Sequence, residues 1–236
     1  MFDIQCAFPP GNVILVTGDT PRYTVFYQSL VQLKVPRGTR LWWGSSNIVA
    51  KTTNNLLADA KAHGGWVWII GDDHEFHPDI ILRLLARRKD AVLPLCLTRH
   101  LPFTPTVWLR DGDRIYMPEL NELPQKGLVE IWSGGDAGIL MTEEVVAATG
   151  PPWYNLELTS TKVSAGWTDR KGEDFFLLKK IREAGYKIHV DVETEMGHTM
   201  SLTAWPRKGQ RILTAGPCEM GEITYTKKGS KYVDVN

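Results

Sequence analysis

Residues 1–100 alternate between short apolar runs and segments with helical spacing, and Gly, Pro or small polar residues punctuate each change. Val13–Thr17 is an apolar run that ends in Gly18-Asp19-Thr20-Pro21-Arg22, which predicts a strand followed by a turn. From Tyr23 to Val35 the apolar residues Val25, Phe26, Leu30, Val31 and Leu33 approximate one helix face, closed by Pro36 and Gly38. Thr39–Trp43 predicts a second strand. Gly44-Ser45-Ser46-Asn47 then offers caps for a helix from Ile48 to His63, with Gly64-Gly65 as its stop. Trp66–Ile70 is continuously apolar, as expected of a strand buried on both faces, and Gly71 ends it. A helix is predicted from Pro78 to Arg88, with proline in the first turn and basic residues in the last, and Ala91–Leu95 returns as a strand. Alternation of this kind predicts an α/β fold around a Rossmann-like, mostly parallel central sheet flanked by helices.

The pattern changes after residue 100. Thr106–Leu109 and Arg114–Met117 flank Asp111-Gly112, a hairpin signal that introduces a smaller antiparallel element into the second half. Strands are predicted at Leu128–Trp132 and Ala137–Met141, with Ser133-Gly134-Gly135 between them, then a helix from Thr142 to Ala148 stopped by Gly150-Pro151-Pro152. Asn155–Lys171 is polar with little periodicity, as in a mobile loop. Gly172–Ala184 has helical spacing and Lys187–Val192 predicts a late strand. Beyond Trp205, Pro, Gly, Lys and Thr dominate, which predicts a tail with at most short strands. The expected organisation is one domain over 1–204, with a nucleotide-binding half at about 12–100, a second half at about 101–204, and a tail at 205–236.

Composition narrows the setting. The 236 residues are 43% hydrophobic, enough for a substantial core, and Lys+Arg and Asp+Glu balance at 27 each. Zero net charge gives no global electrostatic case for a nucleic-acid or acidic-membrane partner. Cys6, Cys96 and Cys218 are odd in number and far apart, which speaks for a reducing compartment and against a disulfide framework. No run approaches the length of a membrane span, so the expected location is cytoplasmic.

The chemistry concentrates where the strand Trp66–Ile70 ends, in Gly71-Asp72-Asp73-His74-Glu75-Phe76-His77-Pro78. In an open α/β sheet ligands bind at that edge. Asp72 and His74 are two apart, and a carboxylate with an imidazole is a ligand set for Mn²⁺, also usable by Mg²⁺ or Zn²⁺. Helix capping explains His77 or Asp79 better than Asp72 and Asp73, because Pro78 puts the helix start several residues on. Glu75 and His77 are expected in solvent, and Phe76 in the core. Nine tryptophans, among them Trp42, Trp132, Trp153 and Trp167, supply surfaces for sugar stacking, although most are expected to pack in the core.

These pieces, in this order, resemble a GT-A type glycosyltransferase over most of residues 12–200. Asp72-Asp73-His74 resembles the family's Asp-x-Asp signature in its Asp-x-His form, as in polypeptide N-acetylgalactosaminyltransferases. In another alignment with the family's acidic run, Gly71 replaces the first Asp and Asp73 becomes the ligand. Gly172-Glu173-Asp174-Phe175-Phe176 resembles the Glu-Asp element, and Gly197-His198 falls where many members supply the third metal ligand. Gly134-Gly135-Asp136-Ala137-Gly138 resembles the segment lining donor sugar and acceptor.

The resemblance implies a transferase that moves a sugar from a nucleoside diphosphate sugar to a hydroxyl acceptor, whether small molecule, glycan, protein or modified nucleic-acid base. It implies Mn²⁺ (or Mg²⁺) held by Asp72, His74 and His198, with Asp174 as catalytic base and Glu173 in reserve. Donor contacts are expected from Thr17, Thr20, Arg22, Asn54, Asn55, Asp73, Gly134, Gly135 and Asp136. Asn54-Asn55 stands where many relatives have Arg-Asn. In inverting members the Glu-Asp aspartate is the base, whereas Asp-x-His is the form of retaining enzymes, so both stereochemistries stay open. The alternatives are a sugar-phosphate nucleotidyltransferase, which usually has a glycine-rich basic loop where Gly18–Arg22 has one glycine and an acid, and a non-catalytic metal or nucleotide-sugar-binding module.

Overall fold

The computed structural model describes residues 1–18, 23–46, 48–99, 102–155, 157–162, 168–207, 210–215, 218–226 and 229–233. The strand Gly11–Thr17 lies between Arg40–Ser45 and Trp66–Gly71 and is parallel to both, while Phe2–Ile4 before it pairs separately with Lys34–Pro36, in the segment expected to be helical. Across the sheet the order is Leu128–Ile131, Ile188–His198, Ala91–Leu95, Leu140–Met141, Trp66–Gly71, Gly11–Thr17, Arg40–Ser45. Ile188–His198 runs parallel to Ala91–Leu95, whereas Leu128–Ile131 pairs antiparallel with it.

One difference from the expected order concerns Leu140–Met141, which inserts antiparallel between Trp66–Gly71 and Ala91–Leu95 and so makes the central sheet mixed. Both of its residues are buried, so the position exploits apolar content that hydropathy alone cannot assign to a neighbour.

Period-2 alternation divides the core into two layers. Ile14, Val16, Val67 and Ile69 face helices α2 (Val49–His63), α4 (Glu143–Thr149) and α5 (Glu173–Glu183), through Leu57, Val145, Leu177 and Ile181. Val13, Leu15, Trp68 and Ile70 face α1 (Thr24–Gln32) and α3 (Ile80–Ala86), through Phe26, Leu30, Ile80 and Leu84. At the end of α2, Gly64 and Gly65 have φ of 82° and 85°. A Cβ on Gly65 would lie 2.8 Å from the Pro10 carbonyl oxygen, so that crossing tolerates only glycine.

The predicted hairpin is present: Val107–Asp111 pairs with Arg114–Tyr116, and Gly112 has a φ of 57°. Ser133–Gly134 adds to its other side. Asn155–Lys171, expected as an unstructured loop, contains the antiparallel strands Glu157–Lys162 and Thr168–Lys171. β-Branched residues such as Thr159 and Thr161 favour extended backbone even without hydrophobic alternation. The C-terminal segment also has more regular structure than its composition implies, a consecutively paired antiparallel sheet of Thr203–Arg207, Gln210–Ala215, Cys218–Thr226 and Gly229–Val233. Among the described residues no helix is long and apolar enough to cross a membrane.

Candidate active site and metal centre

After Trp66–Gly71 the chain turns at Asp72 and Asp73 and resumes as the short strand His74–Phe76. This strand pairs antiparallel with the end of Ile188–His198, with His198 opposite His74 and Met196 opposite Phe76. Directly opposed positions bring side chains together, and the two imidazoles stack with centroids 4.7 Å apart at 18°. A register irregularity between Asp191 and Glu195 precedes this contact. Fully buried Asp191 anchors it, accepting hydrogen bonds from Arg87 Nε at 2.8 Å and Thr194 Oγ1 at 2.6 Å. Arg87, just past α3, also donates to Glu193 at 2.9 Å.

Asp73 is the hub. His74 Nδ1 lies 3.0 Å from its Oδ1, His198 Nε2 3.6 Å from its Oδ2, and Arg99 donates to Oδ2 at 2.9 Å. Burial raises the carboxyl's affinity for a proton, but hydrogen bonds and charge from His198 and His74 outweigh it and hold Asp73 well below the ordinary carboxylate range. Gly71 makes room, since a Cβ there would stand 3.3 Å from Asp73 Oδ1.

The histidine orientations follow from their partners. His198 Nδ1 lies 3.0 Å from the Leu97 carbonyl, which only accepts, so this nitrogen carries the proton. His198 Nε2 faces the Asp73 carboxylate, so a proton or a cation fits between them. His74 Nε2 is buried and has no hydrogen-bond partner among the described residues. Behind them, Cys96 is buried, and its ligand atom and those of His74 and His198 all lie within 4.8 Å of one another. Burial pushes the Cys96 thiol up to about 12. Two imidazoles whose Nδ1 atoms are held by the Asp73 carboxylate and the Leu97 carbonyl fit a divalent cation.

This cluster forms one wall of a cavity of about 510 Å³. Of the residues expected to bind or react, Asp73, His74, His198, Gly135, Asp136 and Asp174 line it together. Asp174 sits in the first turn of α5, where its Oδ1 accepts the Phe175 N–H at 2.8 Å. Gly135 closes against it, a Cβ there falling 3.8 Å from Asp174 Oδ2. Gly134 lies just behind, 2.9 Å from the Thr106 carbonyl at its would-be Cβ.

Other expected contacts lie elsewhere. Asp72 is fully buried and does not line the cavity, which takes its carboxylate from Asp73. The expected turn at the strand end is present, but adjacent turn residues face different surroundings, and this turn sends Asp72 inward and Asp73 to the cavity. Thr17 is buried, does not line the cavity, and accepts a hydrogen bond from Trp43 Nε1 at 3.1 Å. Asn54 accepts from the Trp153 and Tyr154 N–H groups at 2.8 and 3.0 Å and donates to the Tyr154 carbonyl at 2.8 Å, which commits its amide to that loop. Asn55 is exposed on α2. Thr20 and Arg22 lie outside the described residues, as does the Glu173 side chain, although Glu173 begins α5.

Several lining residues were not foreseen. Arg99 follows the strand Ala91–Leu95 at the same sheet edge, a position that parallel topology would have nominated. Tyr154 also lines the cavity and donates from its hydroxyl to Asp136, and Trp108 contributes an aromatic wall edge-on to Phe175 at 4.6 Å. Of the tryptophans singled out for stacking, Trp42 donates to Asn12 at 2.8 Å, Trp153 is buried, and Trp132 lies under the Arg182 guanidinium at 4.1 Å. Trp167 lies outside the described residues.

No protein-family model matches this sequence, and no curated protein matches it. Solved structures share the fold at low identity. A197 from STIV superposes with a TM-score of 0.57 and 12% identity over 87% of this chain and 93% of its own. A crystal structure of GalNAc-T7 with UDP, GalNAc and Mn²⁺ superposes with a TM-score of 0.50 and 10% identity over 84% of this chain. The match covers 45% of the GalNAc-T7 chain. At such identities the likeness is one of fold, and the protein has a GT-A type α/β architecture with its cavity at the edge where the parallel strands end.

Proposed function

We propose that this protein is a metal-dependent glycosyltransferase that moves a sugar from a nucleoside diphosphate sugar to a hydroxyl acceptor. The observation that carries the proposal is the meeting of Asp73, His74 and His198, from segments more than a hundred residues apart in sequence, in a cavity that also contains Asp174. A structural neighbour holding UDP, GalNAc and Mn²⁺ in the same fold supports a nucleotide-sugar donor.

His74 and His198, with Asp73 against both, would hold the divalent cation. When bound, it would neutralise charge developing on the departing diphosphate. Arg99, seated on Asp73, brings a permanent positive charge to the same wall and is assigned to the diphosphate. Gly135 lets backbone approach the donor sugar, and Trp108 offers a face for sugar stacking. Asp174, across the cavity, is assigned as the base that takes the acceptor hydroxyl's proton.

Calorimetry with UDP, GDP and other nucleoside diphosphates, with and without divalent cation, tests the reading. Cation-dependent binding that disappears in His74→Ala is expected. Binding indifferent to both the cation and His74 would overturn it. Release of sugar from a nucleotide-sugar panel then separates an enzyme from a binding module.

A further inference from the structure

We propose that Cys96 is a ligand of the cation site, which therefore takes a thiolate-accepting ion of the Zn²⁺ class instead of oxygen-preferring Mn²⁺ or Mg²⁺. This rests on the reading that the cavity holds a divalent cation, and it goes further by naming the ion's chemistry. Cys96 lies just past Ala91–Leu95, 1% exposed, and the ligand atoms of Cys96, His74 and His198 fall within 4.8 Å of one another. Ligand atoms of a tetrahedral zinc site, with bonds of about 2.0–2.3 Å, stand roughly 3.5 Å apart, so closure takes about an ångström of side-chain adjustment.

Three features prepare the site. His74 and His198 direct their Nδ1 atoms to Asp73 and the Leu97 carbonyl, the outer-shell pattern that leaves Nε2 for a metal. His74 Nε2 is buried without a hydrogen-bond partner among the described residues. The Cys96 backbone is clamped, its carbonyl accepting from Thr106 N–H at 2.9 Å and Thr106 Oγ1 at 3.2 Å, while the Sγ hydrogen bond found among the described residues is a long one, 3.7 Å to the Leu97 carbonyl. On binding, the S–H bond is replaced by a sulfur–metal bond and the proton passes to solvent. Thiolate with two imidazoles selects Zn²⁺ or Co²⁺ over Mg²⁺ and Mn²⁺. Three protein ligands also leave a coordination position towards the cavity for a substrate oxygen.

The test is titration of the reduced, metal-stripped full chain with Co²⁺ as a spectroscopic stand-in for Zn²⁺. One equivalent should bind with a thiolate-to-cobalt charge-transfer band in the near ultraviolet, displaced by Zn²⁺ and not by Mn²⁺. Cys96→Ser should abolish the band and weaken binding at least about tenfold. Cys6→Ala and Cys218→Ala should keep the band, which ties it to Cys96 even if Cys96→Ser is poorly folded. Co²⁺ or Mn²⁺ binding that depends on His74 but lacks the band overturns the Cys96 assignment alone. Failure of Co²⁺, Zn²⁺ and Mn²⁺ all to bind overturns the underlying cation reading as well.

Discussion

Asn54 separates a positioning role from a ligand role, and the structure sets the size of the effect. Its amide makes three hydrogen bonds to the backbone of Trp153 and Tyr154, residues that are 1% and 3% exposed. Asn54→Ala removes all three and strands two N–H groups and a carbonyl. At about 1 kcal/mol net for each bond, the variant should lose about 3 kcal/mol. For a chain of this length that lowers the melting temperature by roughly 6–12 °C. Urea unfolding followed by tryptophan fluorescence measures the loss by linear extrapolation. Asn55→Ala, on the exposed side of the same helix, should change stability by less than about 0.5 kcal/mol and serves as control. Because Tyr154 donates to Asp136, Asn54→Ala and Tyr154→Phe should be non-additive in nucleotide binding. An Asn54→Ala protein of unchanged stability that no longer binds nucleoside diphosphate would refute this reasoning and return the amide to the donor site.

Asp174→Asn should reduce sugar transfer by at least about a hundredfold while donor affinity, measured calorimetrically, stays within about twofold. Arg99→Ala should weaken nucleoside diphosphate binding, and raising salt should diminish the difference between variant and parent. Arg87→Ala leaves fully buried Asp191 without its cation, so a loss of about 3 kcal/mol is expected in urea unfolding. Gly65→Ala, at a positive φ and against the Pro10 carbonyl, should destabilise by about 2 kcal/mol or more, read as a shift of the urea midpoint at constant slope.

The hydrophobic pattern by itself determined the α/β class, the four strands Gly11–Thr17, Arg40–Ser45, Trp66–Gly71 and Ala91–Leu95 and the helices between them, because burial on one or both faces imposes its own period on the sequence, whereas the short strands Lys34–Pro36, in a segment expected to be helical, and His74–Phe76, expected as loop, were not legible. It also located the Asp73-His74 turn and the Asp174 helix start, since strand ends and helix starts are marked by glycine and polar residues that local chemistry requires. Local signals could not place Leu140–Met141 in the sheet, choose Asp73 over Asp72 for the cavity, or separate Asn54's loop contacts from a ligand contact. Each of these depends on partners distant in sequence, and hydrogen-bond register is a property of the pair. Cys96 and Arg99 illustrate the same limit. One is a small apolar-looking residue and the other an ordinary cation until the pairing of His74 with His198 brings both histidines to the end of the strand that carries them.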